Sequence, residues 1–253
     1  MVVVALALIG GTGCISTMIQ NQRGAAAYRT SWDEKVAALE AKSARGDMNA
    51  RVELALQLTS NYAGTSQFPR GVALLKEAVQ ENNPWAEFIL GRIMVRGAGI
   101  GGYAETSKPY RDVERGWELL RRAASQSCRY SIGHRTESST DVFAGLFSDD
   151  RVMIKPAPEE TALWRARGVL HCGFPSPDAM YWRFTSESKN PAAQTEELAL
   201  LMLLPPRSSE LAKAQSLSSA DMLEAARLRS TALRRMVDES LARYSAPTLK
   251  EWK

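Results

Sequence analysis

A near-repeat between Gly46 and Ala124 constrains this chain more than any other feature. Ala50, Leu54 and Leu58 fall on one helix-period stripe, and Ala86, Leu90 and Met94 stand thirty-six residues later with the same spacing and the same small-then-large order. Self-similarity at that period outranks local propensity, because each copy is one supersecondary unit that must stack on its neighbour to bury its apolar face. Each copy passes through a glycine-bearing turn, Tyr62-Ala63-Gly64 or Arg96-Gly97-Ala98-Gly99, into a second apolar helix. Those second helices carry Val72, Leu75, Ala78 and Val79 in the first copy, and Trp117, Leu120, Ala123 and Ala124 in the second. The expected unit is a helical hairpin, present twice.

Local signals extend the helical reading on both sides. Ser31-Trp32-Asp33-Glu34 fits a capping box, in which hydroxyl and carboxylate each satisfy a free backbone N–H, and Gly46 is placed to end that first helix in the left-handed conformation. Asn83-Pro84, Ser176-Pro177 and Asn190-Pro191 each pair a capping side chain with a proline at the first helical position. A stripe of Ala162, Leu163, Ala166, Val169 and Leu170 stops at Gly173, and Pro205-Pro206 ends the helix holding Leu198 to Leu204. The longest helix is expected from about Ser219 to Tyr244, with Leu223, Ala226, Leu233, Val237 and Leu241 on its apolar side. Between Ser125 and Pro158 the pattern dissolves into Ser, Thr, Gly and Pro, and only the apolar run Val142 to Phe147 suggests a helical turn or the remnant of a third repeat.

The repeat residues carry a resemblance. Gly46-Asp47, Ala50, Leu54, Leu58 and Tyr62, and then Asn83-Pro84-Trp85-Ala86, Leu90-Gly91, Gly97-Ala98-Gly99, Asp112, Leu120 and Ala123-Ala124, resemble in order the signposts of a Sel1-like, TPR-like repeat. The residue types make physical sense. Small Ala86 and Gly91 let two helices approach closely, and large apolar positions fill the space between hairpins. The second copy departs from the family between Gly99 and Asp112, where the connection is longer than usual. Insertions in repeat arrays fall on one face and often bind. The partner-contacting residues expected are Tyr103 and Tyr110 in that loop, with Trp85 and Arg96 on the repeat beside it. The alternative for the tyrosines is that they fold back over the loop's own backbone.

The first residues point to export. Val2 to Ile9 is an apolar run far shorter than the roughly twenty residues a membrane-spanning helix needs, and reads as a signal-peptide core. Gly11-Thr12-Gly13-Cys14 resembles the lipobox of bacterial lipoproteins, differing at Gly11, where that family prefers leucine, and in having no Lys or Arg before the apolar run. The resemblance implies cleavage before Cys14 and lipidation of Cys14, hence a periplasmic protein held to a membrane, the outer one by expectation. The alternative is a buried Val-rich strand. Of the three cysteines, lipidation of Cys14 leaves Cys128 and Cys172, which pair as a disulfide in an oxidising compartment or stay as two buried thiols.

Composition and side-chain inventory narrow the function. The net charge of +4 arises from 32 Lys and Arg against 28 Asp and Glu interleaved along the chain, which is not the clustered basic face nucleic-acid binding needs. Only two histidines are present, His134 and His171. A Cys–His nucleophile from Cys128 or Cys172 with His134 has no local signature around it, and adjacent His171 and Cys172 would strain a tetrahedral zinc site. The glycines match no phosphate loop, and the paired acids Asp149-Asp150, Glu159-Glu160 and Glu196-Glu197 read as helix starts or solvated faces. No catalytic residue, metal, cofactor or small-molecule substrate is expected.

The expected fold is all-α: a short α-solenoid of Sel1-like hairpins at residues 31–125, with a signal peptide at 1–13 and a lipidated tether at 14–30 before it. An irregular segment at 126–158 leads to a C-terminal helical region at 159–253 that caps the array. The family resemblance implies a non-enzymatic adaptor or scaffold that binds a protein partner, one form being an immunity protein against a secreted effector. An envelope enzyme built on residues 125–175, or a structural part of an envelope or secretion assembly, are the alternatives.

Overall fold

The computed structural model describes residues 29–60, 67–96, 108–132, 135–138, 142, 146, 152, 155–173, 175–244 and 250–252. Helix α1 spans residues 29–44 and is already formed at residue 29, so Ser31 lies inside the helix and does not cap it. Gly46 follows with φ +87°, and the Asp47 side chain accepts from Ala50 N at 3.0 Å to open α2 (Met48–Leu58). Then come α3 (Phe68–Gln80), α4 (Pro84–Arg96), a 3-10 turn (Lys108–Tyr110) and α5 (Val113–Gln126). Asn83 caps α4 and Asp112 caps α5, each accepting an N–H three residues on, as their short polar side chains are suited to do.

The helices pack as two successive pairs, α2 with α3 and α4 with α5, and α3 joins one pair to the other. Both pairs depend on backbone contact. A Cβ on Gly116 would lie 2.9 Å from the carbonyl oxygen of Gly91, and one on Gly71 would lie 2.9 Å from that of Ala55. Ala55 and Gly91 are thirty-six residues apart, which is the repeat period, whereas Gly71 and Gly116 are forty-five apart. Equivalent contacts therefore recur, and the chain between the contacting residues is nine residues longer in the second pair.

The described residues are mostly helical, as expected of an all-α chain; the segment after α5, expected to be irregular, is the exception. It forms β1 (Ser127–Ile132) and β2 (Arg135–Ser138), paired antiparallel with Tyr130 opposite Glu137 and Ser131 opposite Thr136. β3 (Lys250–Trp252) adds parallel to β1, giving the order β2-β1-β3. Tyr130 is fully buried, stacks on Phe88 with centroids 4.5 Å apart, and donates its hydroxyl to Ala123 O at 2.5 Å. Val142 and Leu146 take helical conformation and join Val152, Trp164 and the α2–α5 side chains in one core.

A second core lies in α6 (Pro158–Arg167), a π-helical turn (Gly168–Cys172), α7 (Pro177–Ser186), α8 (Pro191–Leu201), α9 (Ser209–Ser216) and α10 (Ala220–Tyr244). Ser176 and Asn190 cap α7 and α8, and Gly173 ends the π turn at φ +63°. Met180, Phe184, Leu198, Leu201, Leu233 and Val237 anchor this core. The long helix α10 packs chiefly on α6 and α8, so it belongs to the second core; the first is covered by β1, Val142, Leu146, Val152 and Trp164. The two cores are tied by the Arg121–Glu160 pair, with contacts of 2.5 and 2.8 Å, and by a disulfide between Cys128 of β1 and Cys172 of the π turn, Cα atoms 5.4 Å apart.

Two outcomes follow from this packing. Gly116→Ala pushes a methyl against a carbonyl oxygen that cannot turn aside, and urea denaturation is expected to show a loss of about 1–3 kcal/mol; an unchanged midpoint would mean α4 and α5 do not touch there. The disulfide closes a loop across a separation of 44 residues. Its reduction should lower stability by up to about 4 kcal/mol on the chain-entropy account, read as a fall in melting temperature that a Cys128→Ala/Cys172→Ala variant reproduces without reductant. A melting temperature indifferent to both would show that the two cores hold together without it.

Candidate functional site

Helix α4 is the element around which the polar chemistry gathers. Trp85, Phe88, Arg92 and Arg96 succeed one another at intervals of three, four and four, so they share a face. That face meets the β-hairpin along its length. The Trp85 indole donates to Ser131 O at 2.7 Å, Phe88 stacks on Tyr130, and Arg92 Nη1 donates to Glu137 Oε2 at 2.5 Å. Register explains the order, since Tyr130 and Glu137 are cross-strand partners on one face of the hairpin.

Where this stripe runs out towards the C-terminal end of α4, a cleft of about 380 Å3 opens. Arg92, Arg96, Thr136, Glu137, Ser138, Val142 and Leu146 line it. Arg92 is only 11% exposed, its guanidinium lies 5.6 Å from the Phe88 ring centroid, and its Nε is buried without an acceptor. Burial holds the Arg92 pKa below its ordinary value, and the Arg96 guanidinium pushes the same way against the Glu137 carboxylate. Arginine remains cationic under any working condition. A second cleft of about 430 Å3, between α6 and α10, is lined by Arg121, Glu160, Trp164, Met236 and Glu239 among others, and its Arg121 and Glu160 already satisfy one another.

Other buried charges flank the same helix and strand. Glu87, on another face of α4, is fully buried, forms an ion pair with Arg122 of α5 and accepts from Gln126 at 3.4 Å. Burial raises its pKa from the ordinary 4.5 to about 7, against the attraction of Arg122 and Arg115. Arg167 of α6 is fully buried with none of its three guanidinium nitrogens hydrogen-bonded; it lies 5.5 Å from the Trp164 ring centroid. Burial lowers its pKa to about 10, and it stays charged at neutral pH.

The residues expected to meet a partner divide. Arg96 lines the cleft. Trp85 is 2% exposed and hydrogen-bonded inward, a position that gives it to packing and not to a partner surface. Tyr110 is half-buried against the first core, 5.7 Å from the Phe68 ring and 5.9 Å from Lys76 Nζ, so it folds back onto its own chain. Tyr103 and Cys14 lie outside the described residues, as does His134. Cys128 and Cys172 pair with each other, which leaves neither as a thiolate for a Cys–His couple in the oxidised protein. Arg92, Glu137 and Arg167 belong to no motif of the sequence. The 85-88-92-96 spacing was a usable signal for Arg92, and no local signal marks the other two.

The sign of the Glu87 shift makes a pH prediction. Between about pH 4.5 and pH 7 the folded chain keeps a proton that the unfolded chain has released, so Glu87 makes stability fall as pH rises through that window and level off above it. Denaturant unfolding of wild type and Glu87→Gln is expected to show wild type losing on the order of 1–3 kcal/mol relative to the variant between about pH 5 and pH 8. Parallel curves would show that Glu87 is ionised throughout.

Compared with family models, with curated proteins and with solved structures, the chain matches none.

Proposed function

We propose that this chain is a non-enzymatic, protein-binding lipoprotein of the bacterial cell envelope, built as a short Sel1-like repeat array with a C-terminal helical region beside it. The observation that carries this reading is the cleft at the end of α4, where Arg92 and Arg96 stand over Val142 and Leu146. Paired arginines beside apolar side chains suit a protein surface, because arginine gives planar, charge-assisted hydrogen bonds and tolerates partial desolvation. The recurrence of close helix contacts at Gly71 and Gly116 supports two equivalent hairpins, and the chain between those contacts, longer by nine residues in the second pair, joins α4 to α5 at the cleft end of α4. The lipobox-like Gly11-Thr12-Gly13-Cys14 supports the anchor, and the Cys128–Cys172 bond suits an oxidising compartment. An immunity protein that sequesters a secreted effector is one form such a protein takes.

Cross-linking and pull-down from detergent-solubilised membranes is expected to recover one protein in stoichiometric amount, with capture reduced by Arg96→Glu and by Tyr103→Ala. In the same cells Cys14→Ser should release the protein from membranes and remove fatty-acid label. Recovery of no partner under several growth conditions would sink the binding reading, and label surviving Cys14→Ser would sink the anchor.

A further inference from the structure

We propose that the Cys128–Cys172 bond is a site of thiol–disulfide exchange with a dithiol, at which reduction leaves Cys172 as a thiolate paired with the buried guanidinium of Arg167. This chemistry is independent of the protein-binding reading.

Both cysteines stand where regular structure breaks. In the pairing of β1 with β3, Ser127 lies opposite Lys250 and Arg129 opposite Glu251, so Cys128 between them is left over as a bulge. Cys172 ends the π turn, which Gly173 N–H closes onto Gly168 O. Bulges and π turns re-aim single side chains and recur beside functional sites. Both sulfur-bearing residues are half-buried, and the two neighbours of Cys172, His171 and Gly173, are exposed. A bond so placed can be met by a thiolate from solvent, whereas one sealed in a core cannot.

Arg167 supplies what the reduced state needs. It precedes the π turn, whose i to i+5 bonding sets Cys172 one turn beyond it. Burial lowers its pKa, and Tyr130, two residues from Cys128, opposes that. Arg167 acts in turn on His171, next to Cys172, where burial is the larger cause of a lowered pKa and where Arg234 and Asp238 of α10 act with opposite signs. The guanidinium therefore lies within electrostatic reach of both ends of the bond, and none of its three nitrogens has an acceptor. A neutral disulfide does not compensate that charge. A thiolate does, and it is generated in place, so the burial of Arg167 bars nothing from reaching it. A cation close by favours the ionised sulfur and makes it the better leaving group.

The steps balance with a dithiol as reductant. One of its thiols, ionised to solvent, attacks Cys128 Sγ; the Sγ–Sγ bond breaks and Cys172 leaves as the thiolate that Arg167 holds. The second thiol then attacks the mixed disulfide, and the departing Cys128 sulfur takes that thiol's proton. Two electrons pass to the protein, the dithiol becomes a cyclic disulfide, and one proton is released.

The full chain is equilibrated at pH 7 with mixtures of reduced and oxidised dithiothreitol, and the state of Cys128 and Cys172 is read by alkylation and peptide mapping, which keeps Cys14 apart. Arg167→Met is expected to shift the equilibrium about tenfold towards the disulfide, a potential lower by about 30 mV, and Arg167→Lys to restore most of the difference. Arg167→Met should also raise the melting temperature of the oxidised protein more than that of the reduced one, since only the oxidised state leaves the guanidinium uncompensated. In reduced wild type, which needs no variant to fold, iodoacetamide should modify Cys172 about tenfold faster than Cys128 at pH 7. An equilibrium unmoved by Arg167→Met, equal changes of melting temperature in the two redox states, or a Cys172 no faster than Cys128 in wild type would each overturn the pairing.

Discussion

Helix α4 touches α5 through backbone, and that contact governs the rest of the first core. With glycine at both Gly91 and Gly116, the helices lie close enough that no side chain fits between them. Leu119, Leu120 and Ala123 of α5 are thereby fixed against Ile89, Leu90 and Ile93 of α4 in a single cluster. A helix held so tightly on one side has its remaining faces set in rotation. One of them presents Trp85 and Phe88 to the strand that begins as α5 ends and Arg92 to β2 beside it, and a shift of one residue in α4 would turn all three away by about 100°.

Three charged side chains around β1 are governed chiefly by desolvation. Glu87, Arg92 and Arg167 each have a partner of some kind: an ion pair with Arg122, an ion pair with Glu137, and the face of Trp164. In each, burial still outweighs the partner and disfavours the charged form. Arg167 is the extreme, because an aromatic face offers a desolvated guanidinium on the order of 2 kcal/mol and no acceptor for its N–H groups. Its place under the strand is enforced from nearby: Cys172, five residues along, is bonded to Cys128 at the start of β1. The covalent link ties the π turn that follows α6 to the start of β1.

Much of the helical framework was legible because its signals are local. Asn83, Ser176 and Asn190 each satisfy an amide three residues on, a relation complete within four residues of sequence. The left-handed Gly46 and Gly173 are equally local. What escaped depends on distant chain. Ser127-Cys128-Arg129-Tyr130-Ser131-Ile132 does alternate polar with apolar residues, but over six residues only and directly after a helix; what fixes it as a strand is distant, since Trp85 and Phe88 receive it and β3, more than a hundred residues later, pairs with it. Helix α9 went unread for a related reason. Over eight residues it buries only Leu211 and Ala214, too little for a periodic pattern. The C-terminal region reaches the first core through Trp164 and through α10 against α5, while α10 packs chiefly on α6 and α8; periodicity identifies an apolar stripe and not the surface that will cover it.

The candidate site lies where the legible and illegible parts meet. Arg92 and Arg96 belong to a helix that the repeat pattern identifies, and the walls facing them, Thr136 to Ser138 with Val142 and Leu146, belong to the segment that the pattern leaves blank. A binding surface made wholly within a repeat would be shared by both copies. This one has no counterpart on the first pair, because the thirty-six-residue period puts Leu56 and Ser60 at the positions of Arg92 and Arg96, and α3 leads into another helix, not into a strand. The basic cleft is therefore specific to the second copy, and it is the hairpin after α5 that turns one face of an ordinary helix pair into a site with two chemically different walls.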